Sequence, residues 1–389
     1  MSELAGMDKR AQAGAEALRR GRPDAARDIY LELTGIWPSN AEAWHGLALA
    51  CRALEETDGE MAALDRLLAV DPDHIAALLM KADHFARTGD GRAAHAFYSE
   101  AATRGTAQPG ITPSLRAEVK RAERERERLS TSFDHHLEAA LAKAGFDPAR
   151  SSPRFARSLD LLFGRRKIYL QSPTAFYFPG LPQREFYERH EFSWLSELEA
   201  KTPAIREELL EVLCQEAAFE PYVRSTGARP KREYGQLLDS PEWSAFYIIR
   251  FGEMVEDAAR LCPATLEALR CAPLCEARSR TPAVLFSALR PGARIPPHTG
   301  YTNARLICHL PLIVPEGCGL RVGSEIRAWR EGEALIFDDS MEHEAWNESG
   351  ELRVVLLFDI WRPELTEEER SLVAATLSAV ADYDQRPWD

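Results

Sequence analysis

No stretch of this chain approaches the roughly 18 consecutive apolar residues that a membrane-spanning helix requires. Its first residues, MSELAGMDKRAQAG, lack the apolar core of a secretory signal. A soluble, cytoplasmic protein is the expectation. Cysteine is sparse as well: seven residues, odd in number and irregularly spaced, fit a reducing compartment better than a disulfide framework. Cys271 and Cys275 have no second pair to complete a structural zinc site. Basic residues are in deficit, 48 Lys and Arg against 61 Asp and Glu, for a formal charge of -13. Because phosphate binding depends on clustered cations, this balance excludes a nucleic-acid-coating role, with the GRRK at 164–167 as a local, solvated exception. Apolar residues are not scarce. At 45% of 389 residues they suffice for two or more globular domains with cores of their own.

Residues 10–105 carry an internal repeat. Pro38 and Pro72 are 34 positions apart, and the same step relates Tyr30, Leu64 and Tyr98, and again Gly21, Glu55 and Gly89. Small residues at Ala26, Ala48, Ala82 and Ala94 suit close helix crossings. This pattern resembles tetratricopeptide repeats, in which each helical hairpin buries its face only against its neighbours. About three units are expected, the first incomplete at its start. Such stacks form a concave groove, so the resemblance implies a surface for a peptide or protein partner.

Pro109, Gly110 and Pro113 interrupt the repeat, and Thr112 or Ser114 is placed to cap a new helix over residues 114–143. Its first half is highly charged, with Glu118 and Arg121, and Glu125 and Arg128, at helical spacing. Its second half carries an apolar stripe of Leu129, Phe133, Leu137 and Leu141, and docking is expected there. Residues 147–182 turn Pro- and aromatic-rich, which places a boundary near 145. The expected organisation is therefore repeats over 1–110, a charged linker helix over 111–146 and a second domain over 147–389. In that domain EFSWLSELEAKT and AIREELLEVLCQEAAF read as helices, and SAFYIIRFG and AVLFSALR as strands.

Residues 298–361 combine spaced histidines with strand-like alternation: HTGYTNARLICHLPLIV, EALIFDDSMEHEAWN and LRVVLLFDIW, separated by Gly, Pro, Asn and Asp. Several short antiparallel strands follow, and with them a barrel or jelly roll. Alternation puts Arg305, Ile307 and His309 on one face, opposite Leu306, Cys308 and Leu310. It also puts Arg353, Val355, Leu357 and Asp359 together. A guanidinium in so apolar a strand as that of Arg353 needs an anionic partner, either a ligand carboxylate or a structural one such as Asp359 or Asp338. His298, His309 and His343 lie where a barrel brings them together, and imidazole suits a first-row metal such as iron. Asn303 is expected to be a left-handed turn residue.

HTGYTNARLICHL, the Cys-Gly pair with RVG, FDDSMEHEAWN and RVVLLFDIWRPEL closely resemble the aspartyl/asparaginyl β-hydroxylases, and the likeness extends over roughly residues 155–365. It implies a double-stranded β-helix, a cupin-like jelly roll with flanking helices, that uses Fe(II), 2-oxoglutarate and O2 to hydroxylate an Asp- or Asn-type residue of a peptide or protein. His298 and His343 are similar to the two iron ligands, and Arg353 to the arginine gripping the far carboxylate of 2-oxoglutarate, with Ser287 and His309 beside it. Gly300 stands two positions after His298, where other such oxygenases carry a carboxylate ligand. In the resembled hydroxylases water takes that position, and Asp339 is then the residue that orients it. In the animal members the position matching Ile307 is a second arginine reading an acidic substrate; Ile307, on one face with Arg305, makes aspartate selectivity doubtful here. The alternatives are a hydroxylase of free or carrier-bound amino acids or of lipid acyl chains, a halogenase using the room beside Gly300 for chloride, and a non-catalytic repeat scaffold.

Overall fold

The computed structural model describes residues 2–215, 218–224 and 237–384. The chain divides into two compact units, Met1–Phe163 and Gly164–Asp389. The first holds α1 (Ser2–Arg19), α2 (Pro23–Ile36), α3 (Ala41–Ala53), α4 (Thr57–Val70), α5 (Ile75–Thr88), α6 (Gly91–Ala107), α7 (Pro113–Lys143) and α8 (Pro153–Leu162). The 34-residue step has a backbone cause. Gly21, Glu55 and Gly89 close the three hairpins in the left-handed conformation, at φ 70, 60 and 85°. Asn40 and His74, again 34 apart, cap α3 and α5 by accepting from the Ala43 and Ala77 N–H groups. Tyr30, Leu64 and Tyr98 are buried, as are the four crossing alanines. The first hairpin is complete: α1 has 18 residues, so the expectation of a truncated first unit is corrected.

α7 also differs from its reading. It docks through its charged first half, where Val119 and Ala122 are buried, while Phe133 in the second half is 53% exposed. The reason is α6, whose Gly105 leaves a notch so close that an added Cβ would lie 2.4 Å from Val119. Charge density along α7 hid the Leu115, Val119, Ala122 and Leu129 stripe that fits there. The Glu118–Arg121 and Glu125–Arg128 pairs form as expected, each at 2.8 Å.

The second unit runs β1 (Phe186–Tyr187), α9 (Leu195–Glu199), α10 (Thr202–Leu213), β2 (Glu220–Pro221), β3 (Trp243–Arg250), β4 (Glu253–Met254), α11 (Glu256–Leu261), α12 (Pro263–Ala268), β5 (Val284–Leu289), β6 (Arg294–His298), β7 (Arg305–Ile313), β8 (Cys318–Val322), β9 (Glu325–Arg327), β10 (Leu335–Phe337), β11 (His343–Asn347), β12 (Arg353–Trp361) and α13 (Glu367–Asp384). The strands form two antiparallel sheets. The larger has the order β1-β10-β7-β12-β5-β3-β2 with β4 beside β3, and the smaller β6-β11-β8-β9.

Alternation divides the larger sheet as the sequence predicts. Leu306, Cys308 and Leu310 of β7 and Val354, Leu356 and Phe358 of β12 join one core with Leu195, Leu198, Ile205 and Leu209 of the helices. The opposite face of the larger sheet, including Ile307 and Val355, packs against Ile295, Leu320, Val322 and Ala345 of the smaller one. Asn303 is not left-handed. Its side chain is buried, accepts from Phe178 N at 2.6 Å and donates to Phe178 O and Gln171 Oε1 at 2.8 and 2.9 Å. It thus satisfies backbone groups of an incoming loop that would otherwise be orphaned.

Candidate active site

His298 ends β6 and His343 begins β11, directly across from it, so strand pairing alone brings the two rings to 4.1 Å between centroids. His298 Nδ1 bonds to Pro296 O at 2.8 Å and His343 Nδ1 to Met341 O at 3.0 Å. Donation from Nδ1 leaves Nε2 as the lone-pair nitrogen, the form that binds a metal. Burial lowers both pKa values, that of His343 further, with His298 as its neighbour, which keeps the imidazoles neutral. Both line a cavity of about 200 Å³ between the sheets, together with Ser287, Arg305, Ile307, His309, Asp339 and Arg353. All eight site residues singled out in the sequence therefore meet there.

Asp339 explains why residue 300 is glycine. A Cβ built on Gly300 would fall 2.0 Å from Asp339 Oδ2, so the carboxylate occupies the space a side chain at 300 would need. Asp339 Oδ2 accepts from Arg305 Nη2 at 2.8 Å, while Oδ1 is buried without a hydrogen-bond partner. Burial raises the Asp339 pKa to about 6, against the pull of Arg305. Among the described residues no group of three or more His, Cys, Asp or Glu is arranged to hold a metal ion. The donor set available here is two neutral imidazoles, with a carboxylate oxygen nearby to receive a hydrogen bond.

Arg353 is fully buried and, among the described residues, has no carboxylate partner. Its Nη1 donates to Ser287 O at 3.3 Å, its Nε and Nη2 are unpartnered, and its guanidinium lies 4.5 Å over the Trp329 ring. Burial pulls its pKa down to about 10. The acids that might have neutralised it are engaged elsewhere: Asp359 pairs with Arg305 at 2.5 Å and Asp338 with Arg362 at 2.8 Å. A buried cation of this kind calls for an anionic ligand. His309 sits beside it with Nδ1 unpartnered and a pKa pushed well down, by burial first and by Arg353 second. The Ser287 hydroxyl accepts from Trp243 Nε1 at 3.2 Å.

Residues 199–363 match the family model described as Aspartyl/Asparaginyl beta-hydroxylase. This sheet domain belongs to the aspartyl/asparaginyl β-hydroxylase family. The human aspartyl/asparaginyl beta-hydroxylase is 39% identical over 140 residues, 36% of this chain and 18% of that protein. The ornithine lipid ester-linked acyl 2-hydroxylase of Rhizobium tropici is 36% identical over 180 residues, 46% of this chain and 60% of its own. Human aspartate beta-hydroxylase domain-containing protein 2 is 32% identical over 205 residues, covering 52% and 53%. The chain thus spans from about a fifth to three fifths of the length of these relatives. Over 31% of this chain the Sgt2 TPR domain of Aspergillus fumigatus aligns at 20% identity and a TM-score of 0.28, a likeness too slight to carry an argument.

The hydroxylase-family domain also uses residues that sequence reasoning passed over. Trp243 of β3 and Tyr222 stack at 3.9 Å and 14° on the cavity wall, and the Arg280 and Arg305 guanidinium groups each lie 4.2 Å from the Tyr301 ring centroid. The strand reading of SAFYIIRFG began at Ser244, one residue after the start of β3, and so missed Trp243.

Proposed function

We propose that this domain is an Fe(II)- and 2-oxoglutarate-dependent dioxygenase that hydroxylates a residue of a peptide or protein. The observation that carries the reading is the pairing of two neutral, tautomer-locked imidazoles with a buried guanidinium that lacks an anion, in one cavity. His298 and His343 would hold the metal through Nε2, and Arg353, with Ser287 and His309 beside it, the far carboxylate of the cosubstrate. Iron with 2-oxoglutarate and O2 supplies the chemistry, in which the keto acid loses CO2 to give succinate and one oxygen atom enters a C–H bond of the substrate. Asp339, whose carboxylate takes the space that a side chain at 300 would need, would use its unpartnered Oδ1 to accept from water held at the metal. The two facing antiparallel sheets are the arrangement expected of a double-stranded β-helix, and they exclude bulk water from the cavity floor. At about 200 Å³ the cavity falls below the ~300–1,000 Å³ of ordinary ligand sites. Beside a five-carbon acid it admits one side chain, which suits a peptide presented from outside. The helical hairpins would recruit that peptide.

A second reading, hydroxylation of a lipid acyl chain, is favoured by one observation: of the three relatives described, the Rhizobium acyl 2-hydroxylase is the one whose length this chain covers most fully. Anaerobic titration with iron(II) and 2-oxoglutarate tests the shared chemistry, with a visible metal-to-ligand charge-transfer band expected. No band under anaerobic conditions and no succinate once O2 is admitted would overturn both readings. A screen of peptides and lipids for the gain of one oxygen atom then separates them.

A further inference from the structure

Among the described residues three arginines line the cavity, and their partners bear on what kind of side chain enters it. Under the reading above, Arg353 is consumed by the cosubstrate. Arg305 is held between two carboxylates, Asp339 at 2.8 Å and Asp359 at 2.5 Å. All three groups are buried, so solvent does little to screen the result: one cation against two anions, a cluster with net charge of minus one facing the cavity. Arg305 has no charge left over for a third carboxylate. The third arginine, Arg280, has its guanidinium 4.2 Å from the Tyr301 ring centroid, the same distance as that of Arg305. An apolar part of the wall is formed by Tyr222 stacked on Trp243, with Ile307 and Leu357.

We infer that the group hydroxylated by this domain belongs to an uncharged side chain, and that the Asp339–Arg305–Asp359 cluster is the specificity determinant that turns acidic side chains away. A carboxylate arriving beside this cluster loses its hydration and finds Arg305 already paired with two acids, whereas an amide or aliphatic group needs no such cation. The inference rests on the proposed function, because it is the cosubstrate that removes Arg353 from use.

The test uses the full-length protein loaded with Mn(II) and N-oxalylglycine, an unreactive analogue of 2-oxoglutarate. Calorimetry first establishes that N-oxalylglycine binds and that Arg353→Gln weakens it; failure here overturns the function reading as well. Two peptide pools with random flanks, identical except for a central Asn or Asp, are then captured and counted by mass spectrometry. The Asn pool is expected to be captured at least about tenfold better. Asp359→Asn keeps the acceptor that Ala283 N–H uses at 3.0 Å but removes one charge. It is expected to bring the two pools within about threefold of each other. Equal or greater capture of the Asp pool by the wild-type protein, through Arg280 or otherwise, overturns the inference while leaving the cosubstrate result standing. Capture of neither pool, or an unchanged ratio in a folded Asp359→Asn protein, also counts against it.

Discussion

At the scale of single residues, the site is defined by what each buried polar group lacks. His298 and His343 each spend Nδ1 on a backbone carbonyl, and on the proposed reading replacing either with Ala would remove one of two metal ligands. Both His298→Ala and His343→Ala are expected to abolish bound iron and 2-oxoglutarate turnover while circular dichroism stays native; iron retained with activity in either protein would refute the assignment. Arg353 is a different case because its stability and its binding role pull in opposite directions. Its charge is desolvated without a partner, so Arg353→Ala should raise the 2-oxoglutarate requirement by the equivalent of about 2–5 kcal/mol. Cosubstrate binding measured by calorimetry decides it, and an unchanged affinity would make Arg353 a structural residue.

At the scale of elements, the helical repeats show how one backbone requirement recurs with different side chains. Gly21 and Gly89 adopt positive φ freely, but Glu55 carries a Cβ into the same conformation at φ 60°. Glu55→Gly is therefore expected to stabilise the helical unit by about 0.5–1 kcal/mol, read as an upward shift of the urea midpoint. His45 adds a pH dependence. It lies 4.8 Å from the His74 ring, and burial, with that neighbour, lowers its pKa from 6.5 to about 4. The unfolded chain takes up this proton near 6.5 and the folded one only near 4, so stability is lost as pH falls through that window. The loss is on the order of 3 kcal/mol at most. Denaturation curves at pH 7 and pH 4.5 should show it, and His45→Gln should flatten the slope.

At the scale of the whole molecule, each unit owns its core: the hairpin clusters around Tyr30, Leu64 and Tyr98 in one, and the two faces of the larger sheet in the other. A chain beginning at Gly164 is expected to fold and to bind N-oxalylglycine as the full-length protein does. If the hairpins recruit the peptide, turnover of that peptide at low concentration should fall by about tenfold or more in the shortened chain, since tethering raises effective concentration. Equal turnover by both chains would assign the repeats to some other partner.

The sequence by itself determined what depends on local periodicity. Period 2 sorted Arg305, Ile307 and His309 from Leu306, Cys308 and Leu310, and the 34-residue step located Gly21, Glu55 and Gly89, because side-chain direction and turn conformation follow from a few neighbouring residues. The histidine pair was legible through family resemblance, which carries long-range geometry that periodicity does not. Only the tertiary structure decided who faces whom. Alternation places Arg305 and Asp359 on inward faces but does not pair them, and nothing local foretells that Asp339 fills the space beside Gly300, that Asn303 clamps residue 178, or that α7 docks by its charged half. Those outcomes depend on contacts between residues far apart in sequence, where packing decides which partners come within reach and leaves Arg353 a backbone carbonyl and an aromatic ring but no described carboxylate.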